Sequence, residues 1–275
     1  MKNRITTLLC IAVLVLTGIG TSNAQSLIAY KGKVENGYNF WFYRPANEDG
    51  PKPVVIFLHG RSLCGHDMNK VRKYGTIDAI EKGREIDAYV MAPQNPGGSW
   101  NSEKIMNVLE WVKENNNVDT TRVYVLGMSL GGYGTINLTA TYPDKIAAAI
   151  ALCGGGTKKD YSGLTKVPLW IVHGTADKDV NVRYSDAVVN AMKKFENGTD
   201  RLHYDRVKGM NHSVLARVFY LPECYEWLMS HSLTDENREM KPVTYKITNK
   251  TLTTAIYRGL NSKKNSNLIK KDDSE

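Results

Sequence analysis

The chain has 275 residues, 42% of them hydrophobic, with 36 Lys and Arg against 28 Asp and Glu for a net charge of +8. That length and balance suit one large globular domain with a tail, and neither an internal repeat nor a low-complexity core is present. The basic excess comes with no aromatic-interleaved stripe and no nucleic-acid motif, so it reads as solvated surface and no nucleic-acid partner is expected. The first element is a targeting segment: "MKNR" is a basic start, "ITTLLCIAVLVLTGIG" an apolar run and "SNA" a small-residue cleavage site. This pattern predicts a signal peptide over residues 1–24, cleaved after Ala24, and an exported mature chain with no stable membrane insertion. Cys10 leaves with it, and the remaining Cys64, Cys153 and Cys224 allow at most one disulfide, of which Cys64–Cys153 is the candidate.

After the leader, "YKGKV" and "YNFWFYRP" predict an antiparallel pair closing on Asn36-Gly37. Short apolar strands follow at "VVIFLH", "AYVMA", "VYVL", "AAAIAL", "LWIVH" and "LHYDRV". Between them helical spacing is read over 71–82, 103–114, 130–142, 185–195 and 214–230, the last broken at Leu221-Pro222. Alternation of this kind predicts an α/β protein, a mostly parallel central sheet with helices on both faces and its site at the carboxyl ends of the strands. The domain is expected over 25–231. Residues 232–275 form a polar extension in which nine Lys and Arg meet six Asp and Glu. One more strand is expected within 243–257, and disorder over 261–275.

The stretch "VYVLGMSLGGYGT" places Ser129 between a buried strand and a helix, flanked by Gly127 and Gly131. The pattern is a G-x-S-x-G nucleophile elbow, in which a strained turn exposes the serine hydroxyl at the sheet edge. Downstream, Asp177 follows the strand "LWIVH" and His212 the strand "LHYDRV". The order Ser, Asp, His is that of the α/β-hydrolase fold. A serine hydroxyl is barely acidic, so an imidazole must take its proton. A carboxylate on the other ring nitrogen then fixes the tautomer and stabilises the cation. Asp179 competes with Asp177 for the carboxylate role; Asp177 lies closer to its strand. Of the other histidines, His59 and His173 close strands and suit structural hydrogen bonds. The backbone N–H of Leu130 is the expected first oxyanion donor, and the second comes from "HGRSLCGHD", with Arg61 ahead of Ser62. Cys, His and carboxylate spacings fit no metal motif, and no cofactor is expected.

"VVIFLHG", "APQNPGGSW", "VDTTRVYVLGMSLGGYGT", "TYPDKIAAAIALCGGG", "VPLWIVHGTADKDV" and "GMNHSV" together resemble, in order, the blocks of secreted feruloyl-esterase-like and polyhydroxybutyrate-depolymerase-like α/β-hydrolases of the phospholipase/carboxylesterase group. The likeness runs from Pro51 to His231. It implies an α/β-hydrolase fold and a serine carboxylic-ester hydrolase without a cofactor, acting on soluble or polysaccharide-linked acyl esters. The loop after the strand "VVIFLH" departs from the glycine-richer run of such proteins, and the tail after His231 matches nothing in them. A short connection between "AIALCGG" and "VPLWIVHG" leaves no room for a helical lid, so a shallow site is expected, with Trp100, Met128 and Tyr133 lining it. The alternatives are a prolyl-oligopeptidase-like serine peptidase and a non-catalytic binding protein on the same scaffold.

Overall fold

The computed structural model describes residues 24–255, 260 and 268–273; the expected signal peptide lies outside them. Nine strands form one sheet: β1 (Ser26–Tyr30), β2 (Phe40–Arg44), β3 (Lys52–Leu58), β4 (Tyr89–Pro93), β5 (Val118–Met128), β6 (Ala148–Leu152), β7 (Leu169–Gly174), β8 (Leu202–Val207) and β9 (Ile269–Asp272). Their spatial order is β8-β7-β6-β5-β3-β4-β2-β1-β9. From β4 to β8 every pairing is parallel, and β2 runs antiparallel to both β1 and β4.

The central strands are continuous apolar runs because both faces are covered. On β3, Val54, Ile56 and Leu58 enter one core while Val55 and Phe57 enter the other. The first core lies under α2 (Ser102–Asn115), α3 (Leu130–Thr141) and α4 (Arg183–Met192). The second lies under α1 (Thr76–Glu81), α5 (Pro222–Met229) and α6 (Asn249–Thr253). Pro222 opens α5 as its first residue, where its missing N–H costs nothing. Among the described residues no helix is long and apolar enough to cross a membrane.

Several expectations differ from the structure. The helix expected over 71–82 is two pieces, a 3-10 turn at Met68–Arg72 and then α1, because Gly75 takes φ +93° at the join. The first strand is "SLIAY" instead of "YKGKV": Leu27 and Ala29 alternate inward, and the chain from 31 to 39 is a connection turning at Val34–Gly37. In the tail, no strand forms within the described part of 243–257, where Thr248 instead caps α6 through a reciprocal capping box. Residues Ile269–Asp272, expected to be disordered, pair parallel to β1. The tail is also more than a solvated extension, since Ile247, Leu252, Ala255 and Leu268 are buried in the second core.

Candidate active site

Ser129 stands at the carboxyl end of β5 as the N-cap of α3, with φ 59° and ψ −119°. A non-glycine residue at such a φ is strained, and the surroundings hold it there. Its N–H donates to Leu152 O (2.9 Å) and its carbonyl accepts from Tyr133 N–H (3.0 Å). The strand-to-helix turn is tight enough that a Cβ on Gly131 would lie 1.8 Å from Leu58 O. The N–H of Leu130, first in α3, has no partner inside its helix and belongs to the positive end of the helix dipole.

Asp177 and His212 meet at the carboxyl ends of β7 and β8. His212 Nδ1 donates to Asp177 Oδ2 at 2.7 Å, while Asp177 Oδ1 accepts the N–H groups of Asp179 (2.9 Å) and Val180 (2.8 Å). The two loops are tied together by Ala176 N–H to Met210 O (3.0 Å) and Gly209 N–H to Thr175 Oγ1 (2.9 Å). Asp177 is buried and His212 partly open, which leaves the second imidazole nitrogen facing outward from the carboxylate. Asp179 is exposed and makes its contact to Asp177 through its backbone.

The turn after β3 runs against the serine. A Cβ on Gly60 would lie 3.5 Å from Ser129 Cβ, and Arg61 follows as the first residue of a 3-10 turn, Arg61–Leu63. His59 holds this loop: its Nε2 accepts from Asn95 N–H (3.1 Å), so Nδ1 carries the proton and donates to Gly60 O (2.8 Å). Burial lowers the His59 pKa to about 4, consistent with a neutral ring. Gln94 Nε2 donates to Leu63 O (2.8 Å) and Gly65 O (2.9 Å), fixing the far side. His173 plays the matching part beside Asp177, with Nε2 donating to Val180 O (2.8 Å) and Nδ1 in hydrogen-bond contact with Ser185 Oγ (2.7 Å), which also lies 2.9 Å from Gly154 O.

Of the three expected lining residues, Trp100 and Met128 are buried, 6% and 4% exposed. Trp100 packs edge-on against His59 and Tyr38 and donates from Nε1 to His59 O (3.2 Å). Tyr133 is partly exposed. Cys64, Cys153 and Cys224 are free thiols, so Cys64 and Cys153 do not pair.

Cys153 is the residue that spacing did not reveal. It is fully buried at φ 38° directly after Leu152, whose carbonyl accepts the Ser129 N–H, and its Sγ falls within 4.8 Å of ligand atoms of both Asp177 and His212. Burial and the Asp177 charge push its pKa well up, so it is a neutral thiol at the meeting point of the three loops. No sequence spacing fits a metal motif, yet this trio forms a Cys/His/carboxylate group in space, because its members come from loops after β6, β7 and β8.

A sheet of this order with a strained serine after β5 and an Asp–His pair after β7 and β8 defines an α/β-hydrolase, and the chain has that fold. Residues 98–221 match the phospholipase/carboxylesterase family. The chain is similar to a poly(3-hydroxyalkanoate) depolymerase C of Paucimonas lemoignei, 26% identical over an alignment of 171 positions that covers 54% of this chain and 40% of that protein. It is 38% identical over 163 residues to a probable acetylxylan esterase A of Neosartorya fischeri, 54% of this chain and 44% of that protein. The chain thus spans less than half the length of these relatives. Among solved structures, a thermostable esterase superposes with TM-score 0.60 at 24% identity, over 77% of this chain and 64% of that one. A feruloyl esterase module of Clostridium thermocellum, complexed with sinapinate, superposes with TM-score 0.55 at 16% identity, over 71% and 86%.

Proposed function

We propose that the protein is an exported serine carboxylic-ester hydrolase that cleaves acyl groups from soluble or polysaccharide-linked esters, with Ser129, His212 and Asp177 as its triad. The observation that carries this reading is the 2.7 Å bond from His212 Nδ1 to buried Asp177, with Cys153 beside that pair and Leu152, the residue before it, accepting the N–H of strained Ser129 (2.9 Å). Ser129 Oγ attacks the ester carbonyl while His212 Nε2 takes its proton, and Asp177 stabilises the imidazolium. Negative charge on the carbonyl oxygen is met by the N–H groups of Leu130 and Arg61. Collapse of this intermediate expels the alcohol, which leaves with the proton held by His212, and water then repeats the sequence on the acyl-serine.

The family match and the acetylxylan esterase and depolymerase relatives support ester hydrolysis, and the leader sequence supports export. The test is a rate panel of p-nitrophenyl acetate, butyrate and octanoate, methyl ferulate and acetylated xylan. Preference for short acyl chains is expected. Ser129→Ala should lose on the order of 10⁴-fold in kcat, because nucleophile and base act as a unit; a variant keeping a tenth of the rate contradicts the assignment.

A further inference from the structure

Three tyrosines gather on the β6–β7 side of Ser129. Tyr133 lies one turn along α3 from the serine, Tyr161 in the connection after β6, and Tyr184 at the start of α4. The Tyr133 and Tyr184 ring centroids are 6.3 Å apart. The glycines of "CGGGT" make space for two of the rings: a Cβ on Gly155 would sit 2.7 Å from the Tyr133 ring, and one on Gly156 would sit 2.6 Å from the Tyr161 ring. The connection is anchored to α3, with Asn137 donating from Nδ2 to Thr157 Oγ1 (2.9 Å) and accepting Thr157 N–H (3.1 Å). Tyr184 is 42% exposed, and the Arg183 guanidinium stacks over its ring at 5.2 Å.

Among the described residues most large apolar side chains are buried, and this anchored aromatic group on the α3 side of the serine stays partly open, offering ring faces to a ligand. We propose that Tyr133, Tyr161 and Tyr184 form a shelf that stacks on the pyranose ring of the alcohol part of the ester; this rests on the triad reading above.

The side of the serine decides between alcohol and acyl group. The Arg61 loop follows β3, on one flank of β5, and would hold the carbonyl oxygen. The shelf is on the other flank, where the Tyr133 ring packs on Gly155, two residues after Cys153, whose Sγ lies within 4.8 Å of the His212 ligand atom. The group that receives a proton from His212 is the leaving alcohol, so the alcohol lies on the shelf's flank. A pyranose ring offers a flat C–H face to phenyl rings and equatorial hydroxyls to a neighbouring guanidinium, which suits rings bordered by Arg183.

The test compares three acyl esters on wild type and Tyr184→Ala: a methyl xylopyranoside carrying one acetyl group, ethyl acetate, whose alcohol has no ring, and methyl ferulate, whose ring is in the acyl part. Tyr184 is exposed, so truncation leaves the core intact. The ratio of kcat/KM for the sugar acetate to that for ethyl acetate should fall about fivefold or more, the scale of one aromatic contact, with the methyl ferulate ratio steady. A fall for methyl ferulate, alone or alongside, would assign the shelf to the acyl group and overturn the proposal, as would no change in either ratio. Wild type inactive on all three esters overturns the hydrolase reading itself, which separates that failure from failure of the shelf.

Discussion

At Asp177 the division of labour between its two oxygens makes a sharp expectation. Oδ2 takes the His212 proton donor and Oδ1 two backbone N–H groups, whereas Asp179 is exposed and meets Asp177 through its backbone N–H. Asp177→Asn should therefore lower kcat by about 10⁴-fold through loss of the correct imidazole tautomer, and Asp179→Asn should change it little. Steady-state kinetics of the purified variants read this directly; equal losses would contradict it. Sequence order singled out Ser129, Asp177 and His212 because each follows an expected strand, and of these the structure joins Asp177 to His212 by a hydrogen bond. Cys153 was not legible as their neighbour, since its contact depends on how three loops fold onto one another. His59 was legible as a structural histidine closing its strand, but its partners Gln94 and Asn95 were hidden, because a buried polar residue looks the same in sequence whether it braces a loop or caps a turn.

Among elements, the passage from β5 through Ser129 into α3 depends on bare backbone. A methyl group at residue 131 would meet Leu58 O at 1.8 Å, and that oxygen belongs to a central strand that cannot yield cheaply. Gly131→Ala should cost about 3 kcal/mol of stability, seen as a lower urea midpoint, with esterase activity falling as the elbow distorts. A variant as stable as wild type would show the turn to be looser than described. The inner strands were legible because burial on both faces demands unbroken apolar runs. The edges were not. β1 and β9 lie outside the parallel core, and β9 carries "IKKD", a composition that reads as solvent until its partner strand is known. Lys270 on β9 reaches buried Glu81 (2.9 Å), which Arg72 Nε also contacts (3.1 Å), so the strand is held by charge as well as by backbone pairing. Ending the chain at residue 267 should lower stability by about 1–3 kcal/mol, with the loss seen as a reduced Tm; an unchanged Tm would mean that β9 contributes nothing.

For the whole molecule, three histidines tie stability to pH. His59, His173 and His231 have their pKa values lowered, in each case chiefly by burial, His59 to about 4. The folded state keeps these rings neutral while the unfolded chain protonates them below about 6.5, so stability is full above that pH and is lost as pH falls from there toward 4. Tm should therefore drop by several degrees between pH 7 and pH 4.5; a flat Tm would contradict the buried-neutral assignment.

The central claim, that this fold presents Ser129 as a nucleophile activated by its surroundings, is tested most directly by a fluorophosphonate and peptide mass spectrometry. The native protein should take up one phosphonyl group on the peptide that contains Ser129, with loss of ester hydrolysis in proportion, and neither Ser129→Ala nor the urea-unfolded chain should be labelled. Absence of the adduct in protein of native Tm, or its appearance on a different residue, would contradict the account.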